Sequence, residues 1–263
     1  MKGLIVIQNS KKLLFSGLAA TVLFSTTLSA GVVLDAEVGI GSWKANPSGY
    51  ASYDDADVDV EDNFGLESSH NTYIYADINH FVPIIPNARI EQQELKMDAS
   101  SMGSSFKWNG NTIDIGSKTK LDLKQQDLLL YWGVPGIKLL TAGIVKVDFG
   151  LDIKKFDGSI TVLNDKSSLD FILPMGYLGA TIDPPFVPAI LSASYKTISY
   201  DGSSLNDIMA KVSIELPIPI PLIDIRFDLG YKKQSLKISE DVSDNIEADI
   251  KFSGVFFGIS AKF

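Results

Sequence analysis

The chain has 263 residues, 45% hydrophobic and 21% charged, with 23 Lys and Arg against 32 Asp and Glu, for a net charge of −9. A mean hydropathy of +0.14 and an isoelectric point near 4.7 separate it from disordered chains and helical membrane bundles, and argue against nucleic-acid binding, which needs clustered basic residues. With no cysteine and two histidines, disulfide frameworks, cysteine metal sites and thiol catalysis are excluded, and no cofactor is implied.

Residues 1–30 read as a secretory signal peptide. Lys2, Lys11 and Lys12 precede a charge-free apolar run from Leu13 to Leu28, and the small residues Ser29, Ala30 and Gly31 follow. Cleavage near Ala30 leaves 31–263 as a single exported domain. Beyond it no charge-free run is long enough for a transmembrane helix. The chain instead alternates apolar and polar residues with period two, between turn-rich segments.

In chain order the expected strands are 32–40, 70–81, 88–97, 119–132, 137–154, 168–182, 189–199, 207–216, 222–238 and 246–263. In 137–154 the odd positions Val145, Val147, Phe149, Leu151 and Ile153 oppose Lys146, Asp148, Asp152 and Lys154. In 207–216, Ile208, Ala210, Val212 and Ile214 oppose Lys211, Ser213 and Glu215. In 222–238, Ile225, Phe227 and Leu229 oppose Asp224, Arg226 and Asp228. Four connections are tight and proline-bearing: VPIIPN (82–87), GVPG (133–136), DPPFVP (183–188) and PIPIP (217–221). They alternate with mostly longer ones at 41–69, 98–118, 155–167, 200–206 and 239–245.

Many of these strands are longer than those of soluble sandwiches, and the short and long connections alternate. Both features point to a closed antiparallel transmembrane β-barrel with short periplasmic turns and longer extracellular loops. Ten strands are expected, or eight if two segments do not span. Three segments strain the pattern. Segment 88–97 carries charge on both faces. In 119–132 the leucines change parity, and in 246–263 the apolar set changes parity near Gly254, where a bulge would restore it. A soluble periplasmic β-sandwich or lipid-carrying β-protein is the alternative that periodicity leaves open.

The chain closes on VFFGISAKF, with Val255, Phe257, Ile259, Ala261 and Phe263 apolar at every second position. Here it resembles small bacterial outer-membrane β-barrel proteins without an assigned function. The resemblance implies a Gram-negative outer-membrane location, outer-membrane lipids as surroundings, and a last strand that the barrel-assembly machinery reads. It implies a monomer.

The polar face, turned to the lumen, would hold Asp35, Glu37, Asp77, Lys154, Asp170, Lys196 and Lys232. It would also hold a charge cluster of Lys146, Asp148, Asp152, Lys211, Glu215, Asp224, Arg226 and Asp228. A barrel this narrow is largely filled by side chains, and buried charges persist when paired, so a packed polar plug is expected rather than a water-filled path.

The acidic stretch YDDADVDVED (53–62) lacks the glycine and the twelfth-position Glu of a calcium loop, and reads as a solvated loop. On strand 70–81, Thr72, Ile74, Ala76 and Ile78 are assigned to lipid, and Tyr73, Tyr75, Asp77 and Asn79 to the inside. His70 and His80 share the lipid-facing parity, which disfavours a rim hydrolase built on His70 with a loop carboxylate. The sequence therefore reads as a non-enzymatic barrel with a structural or surface-contact role through loops 41–69 and 98–118. A narrow porin-like channel for small solutes is the alternative.

Overall fold

A computed structural model describes residues 34–53, 56–100, 105–108, 111–162, 165–239 and 246–263. The expected signal peptide, 1–30, lies outside the described residues. Ten strands are numbered here in chain order. They are β1 (Leu34–Tyr53), β2 (Ser69–His80), β3 (Asn87–Ser100), β4 (Lys118–Gly133) and β5 (Val145–Val162), then β6 (Phe171–Ile182), β7 (Ala189–Tyr200), β8 (Ser203–Glu215), β9 (Asp224–Ile238) and β10 (Ile246–Lys262).

Each strand pairs antiparallel with its sequence neighbours, and β10 pairs back onto β1 from Glu37 opposite Lys262 to Tyr53 opposite Ile246. The result is a closed ten-stranded, up-and-down barrel with no open edge among its strands. Connections alternate between two ends. The turn end carries 81–86, 134–144, 183–188 and 216–223; the loop end carries the rest.

Several boundaries differ from expectation. Strand β5 starts at Val145, not 137, because Ile137–Leu140 forms a short helix after Gly136, which adopts φ 85°. The expected four-residue turn is therefore an eleven-residue connection, 134–144. At the loop end, β1 runs on to Tyr53, and 155–162 is strand rather than loop. The expected loop 200–206 shrinks to Asp201 and Gly202, whose positive φ values of 45° and 77° make the two-residue hairpin that suits strand twist.

The two parity changes prove not to be bulges. Across β10 and β9 one register holds from Asp224 opposite Lys262 to Ile238 opposite Ala248. Gly254 lies inside it, and every even residue of β10 from Ala248 to Ser260 faces inward. What changes is polarity. Toward the turn end, Val255, Phe257 and Ile259 are outward and exposed; toward the loop end, Phe252 and Ala248 are inward and buried. The same holds for β4: Leu128 is exposed on the outside, while Leu121 is buried on the inside.

The barrel thus has two storeys. At the turn end its outside is an apolar belt and its inside is ionic. At the loop end the outside is largely polar and the inside is an apolar core of Trp43, Leu95, Met97, Leu121 and Phe252, which reaches down to Phe256 at belt level. The charges on both faces of β3 follow from this arrangement. Arg89 and Glu91 point in, whereas Glu94 and Lys96 belong to the upper outer wall. There Glu94 sits opposite Lys124, and Lys124 opposite Asp157, in a ladder of alternating sign across three strands.

Glycine makes room for the inward aromatics. A Cβ at Gly41 would lie 2.5 Å from the Phe256 ring, and one at Gly39 would lie 2.3 Å from Tyr75. Phe256 then meets Tyr73 edge-on, with centroids 5.4 Å apart. Phe252 belongs to the upper-storey core, so Phe252→Ala costs about 3–5 kcal/mol. Outward-facing Phe257→Ala should cost clearly less. Equal shifts of the urea midpoint for the two variants in detergent would contradict the inversion.

Candidate functional site

The interior is layered from the turn end upward. The mouth opens into a cavity of about 690 Å³ lined by residues that include Asp77, Tyr131, Lys146, Asp148, Lys211 and Arg226. Glu37 on β1 joins Arg226 on β9 (3.2 Å) and Lys211 on β8 (3.8 Å), and Lys211 also reaches Asp228 at 3.2 Å. Across the mouth, Lys146 pairs with Asp148 at 3.3 Å. The Tyr131 hydroxyl donates to Asp77 at 2.7 Å.

Deeper lies a cluster that crosses the lumen. Lys196 on β7 contacts Glu91 on β3 (2.8 Å), Asp127 on β4 (2.5 Å) and Asp152 on β5 (3.4 Å). Lys154 joins Asp127 (2.7 Å) to Asp207 on β8 (3.3 Å), and Lys232 on β9 holds Asp207 at 3.0 Å. Arg89 adds Glu91 at 2.8 Å and lies over the Tyr75 ring at 4.1 Å. Lys154 is 2% exposed and Asp152 0%. Four cations thus meet four anions in this layer, and every ion pair except Arg89–Glu91, which lies within β3, bridges different strands. Above it Gln125 and Gln234 exchange amide hydrogen bonds of 2.9 and 2.8 Å across the barrel, from β4 to β9. The apolar core follows.

That core is completed by the segment after β1. The acids and valines of 57–60 alternate within the short strand Ala56–Asp59 and its turn. Asp57 is exposed, while Val58 and Val60 are buried with Phe64 and Leu66. The Asp59 carboxylate accepts from the Glu61 and Asp62 amides, each at 2.8 Å. The stretch expected to be a solvated loop is therefore half stopper and half surface. Among the described residues no group of acids and histidines could hold a metal ion.

The sequence-predicted cluster divides among three places. Lys211, Arg226 and Asp228 meet at the mouth, with Lys146 and Asp148 on another part of its wall. Asp152 sits in the deep layer. Glu215 and Asp224 are both exposed where their strands end at the turns, because a strand's last inward position lies beyond the enclosed lumen; Asp224 still reaches Arg226 at 4.0 Å, whereas Glu215 lies apart from the cluster. Asp35 is likewise exposed, and pairs with Lys262 at 3.5 Å. Asp170 lies outside the lumen at the loop end, between strands. Its carboxylate accepts from the Ser168 hydroxyl and, at 3.2 Å, from the Gly158 amide. These bonds, the hydroxyl's first, hold its pKa below the usual range.

Arg89, Glu91, Asp127 and Asp207 belong to the deep layer and were missed from the sequence. The rows Arg89–Glu91–Gln93 and Gln125–Asp127 carry the available signal, but polar residues on the outer wall of the upper storey hide it. His70 lies outward against Phe257, with ring centroids 6.5 Å apart. His80 is at the turn end, its Nε2 3.1 Å from the Pro86 carbonyl. In the last strand Val255, Phe257, Ile259 and Phe263 are exposed and Ala261 is half-buried.

No family model matches the chain, and no curated protein is significantly similar to it. Several solved outer-membrane proteins are similar in overall form. Ail, the attachment invasion locus protein of Yersinia pestis, is 9% identical with a TM-score of 0.35, covering 88% of this chain and 99% of its own. The translocator domain of the autotransporter NalP from Neisseria meningitidis is 10% identical with a TM-score of 0.42, covering 89% and 88%. OprG from Pseudomonas aeruginosa is 12% identical with a TM-score of 0.32, covering 89% and 96%. Likenesses this faint say nothing of the chain's task.

Removing one partner from the deep layer leaves uncompensated buried charge. Lys196 faces three carboxylates, so Lys196→Met should destabilise the barrel by about 3–5 kcal/mol. Asp152 accepts no hydrogen bond, so Asp152→Asn should cost much less. Denaturant midpoints read by tyrosine and tryptophan fluorescence check the ranking.

Proposed function

We propose that this chain is an integral outer-membrane barrel, closed to solutes, that works through the surface it raises above the bilayer. The observation that carries the reading is the two-storey inversion. The apolar outside of the lower storey suits hydrocarbon, while the charged outside and apolar inside of the upper storey suit water. Such a strand pattern serves a protein built to stand out of a membrane. The upper wall, with its charge ladder over β3, β4 and β5, and the loops 54–68 and 101–117 then form a contact surface facing outward.

A channel role has less support. The deep ionic layer and the apolar core lie in series along the axis, and paired charges topped by a dry plug leave no continuous wet route. We read the protein as non-enzymatic and monomeric. Its last strand, with apolar residues facing out, has the form the assembly machinery would engage.

In planar bilayers the purified barrel should give no conductance steps; reproducible single-channel openings would overturn the closed-lumen reading. Orientation has its own test, since the chain contains no cysteine. Lys124→Cys should react with a membrane-impermeant maleimide on intact cells, and Asp224→Cys only after the outer membrane is permeabilised. The reverse order would place the raised surface on the wrong side. The contact role is tested by replacing residues 101–117 with a two-residue turn. The replaced barrel should keep its heat-dependent gel mobility but lose any adhesion that the intact chain confers on a non-adherent strain. No adhesion by the intact chain to any cell or matrix surface would count against the contact role.

A further inference from the structure

The turn end is apolar where water-facing turns would be polar. The connections 81–86, 134–144, 183–188 and 216–223 contain only two charged residues, Lys138 and Asp183. Each of the four turns holds large apolar side chains into the surroundings. Ile84, Leu139, Leu140, Phe186, Val187 and Leu222 are all exposed, with Phe186 at 96% and Leu222 at 93%. Together they form an apolar crown around the cavity mouth, and exposed apolar surface on this scale marks an interaction site.

The height of the belt indicates what covers the crown. On β8, β9 and β10 the outward residues change from apolar to polar just above Ile208, Tyr231 and Val255, where Asn206, Lys233 and Ser253 follow. From there each strand runs seven residues down to its turn-end limit at Glu215, Asp224 or Lys262. At about 3.4 Å per residue and a tilt near 40°, that is about 18 Å of height. The apolar band of an outer-membrane barrel is about 25 Å tall. On β3 and β4 the outward apolar run is shorter still, starting at Ile90 and Leu128. These five strands leave several ångströms of hydrocarbon unmatched toward the turn side, whereas β6 is apolar on its outer face along its whole length from Ile172 to Ile182.

The crown lies where that shortfall falls, and it is continuous with the belt. Trp132, outward at the end of β4, stacks on Phe149 at 6.1 Å and donates its indole N–H to the Ile84 carbonyl at 3.2 Å. Belt and turn are thereby joined through an interfacial tryptophan. Lys138, on the short helix with Leu139 and Leu140, is placed to reach headgroups while the leucines face hydrocarbon.

We propose that the crown is a lipid-binding surface. The four prolyl turns sit in the inner-leaflet boundary between headgroup and hydrocarbon, and complete the apolar band that those five strands leave short. The barrel therefore rides high in the bilayer, and its ionic mouth opens at phospholipid headgroups rather than in free periplasm. The proposal rests on the outer-membrane reading above.

Single-cysteine variants labelled with a polarity-sensitive fluorophore, in vesicles of phosphatidylethanolamine and phosphatidylglycerol with no other protein, test it. Leu139→Cys, Phe186→Cys and Leu222→Cys report the crown, Leu151→Cys the belt and Lys124→Cys the upper wall. Crown labels should be quenched by nitroxide-bearing lipids to within about twofold of the belt label, and by aqueous iodide at least about fivefold less than the wall label. Iodide quenching of the crown equal to that of the wall, with the belt still lipid-quenched, overturns the crown alone; a protein partner would then be its occupant. Iodide quenching of the belt as well overturns the membrane reading and the crown with it. Lys124 is half-buried on the outer wall and the other four substituted side chains are exposed, so heat-dependent gel mobility suffices to verify folding.

Discussion

A β-strand's pleat assigns alternate residues to opposite sides, and an unbroken register keeps that assignment along the whole strand. In this barrel β10 holds one register against β9 and one against β1 over its length. On several strands the outer face nevertheless changes from apolar to polar partway along, so the sequence exchanges the character of the two faces there while parity stays fixed. The exchange occurs on β3, β4, β9 and β10, and its level is set by the outward residues, from Ile90 to Gln92 or from Tyr231 to Lys233. Layering inside broadly follows the same level: the buried charges are enclosed where the outside is apolar, and most of the apolar core is enclosed where the outside is polar, with Leu129 and Phe256 reaching down into the belt level.

The ionic storey is affordable only because it is networked. An isolated buried lysine would be strongly disfavoured, but Lys196 has three carboxylates from three strands around it and Lys154 has two. Because the lysine pairs bridge different strands, the network braces the barrel's cross-section against flattening. Hydrogen bonds run between neighbours around the wall; ion pairs such as Lys196–Glu91 and Lys154–Asp207, and the Gln125–Gln234 amide pair, run across it. Wall and network are therefore complementary constraints on one shape.

Strand number, sidedness and the location of most lumen charges were legible because period two survives wherever the surroundings are constant. Leu151, Ile153, Asp152 and Lys154 illustrate this: their faces read directly from the sequence. Legibility failed at the change of storey. Leu121 and Leu128 are both apolar, lie on opposite faces and differ only in height, so periodicity reads them as a slip in phase. Asp127 and Asp207 are hidden for a related reason: they enter the lumen on strands whose upper outer positions are also polar, Asp122 and Lys124 on β4 and Ser204 and Asn206 on β8. Loop lengths failed differently. Asp201–Gly202 is a recognisable hairpin turn, but polar flanks on the upper wall, such as Asn206, look like loop when strands are expected to be apolar outside.

The positions of the two seals bear on function. The ionic layer alone could be bypassed by water along its polar side chains, as narrow charged pores are. Above it, however, Phe252, Phe256, Leu95 and Leu121 are packed with Val58, Val60, Phe64 and Leu66 from a segment at the loop end of the barrel. Opening a path would require withdrawing that segment and exposing a core that the upper wall needs for its own stability. A gate would sit more cheaply on a separable plug than on residues that hold the wall together. The stopper is therefore part of the same core that holds the upper wall, so the seal and the shape of the loop end are stabilised together.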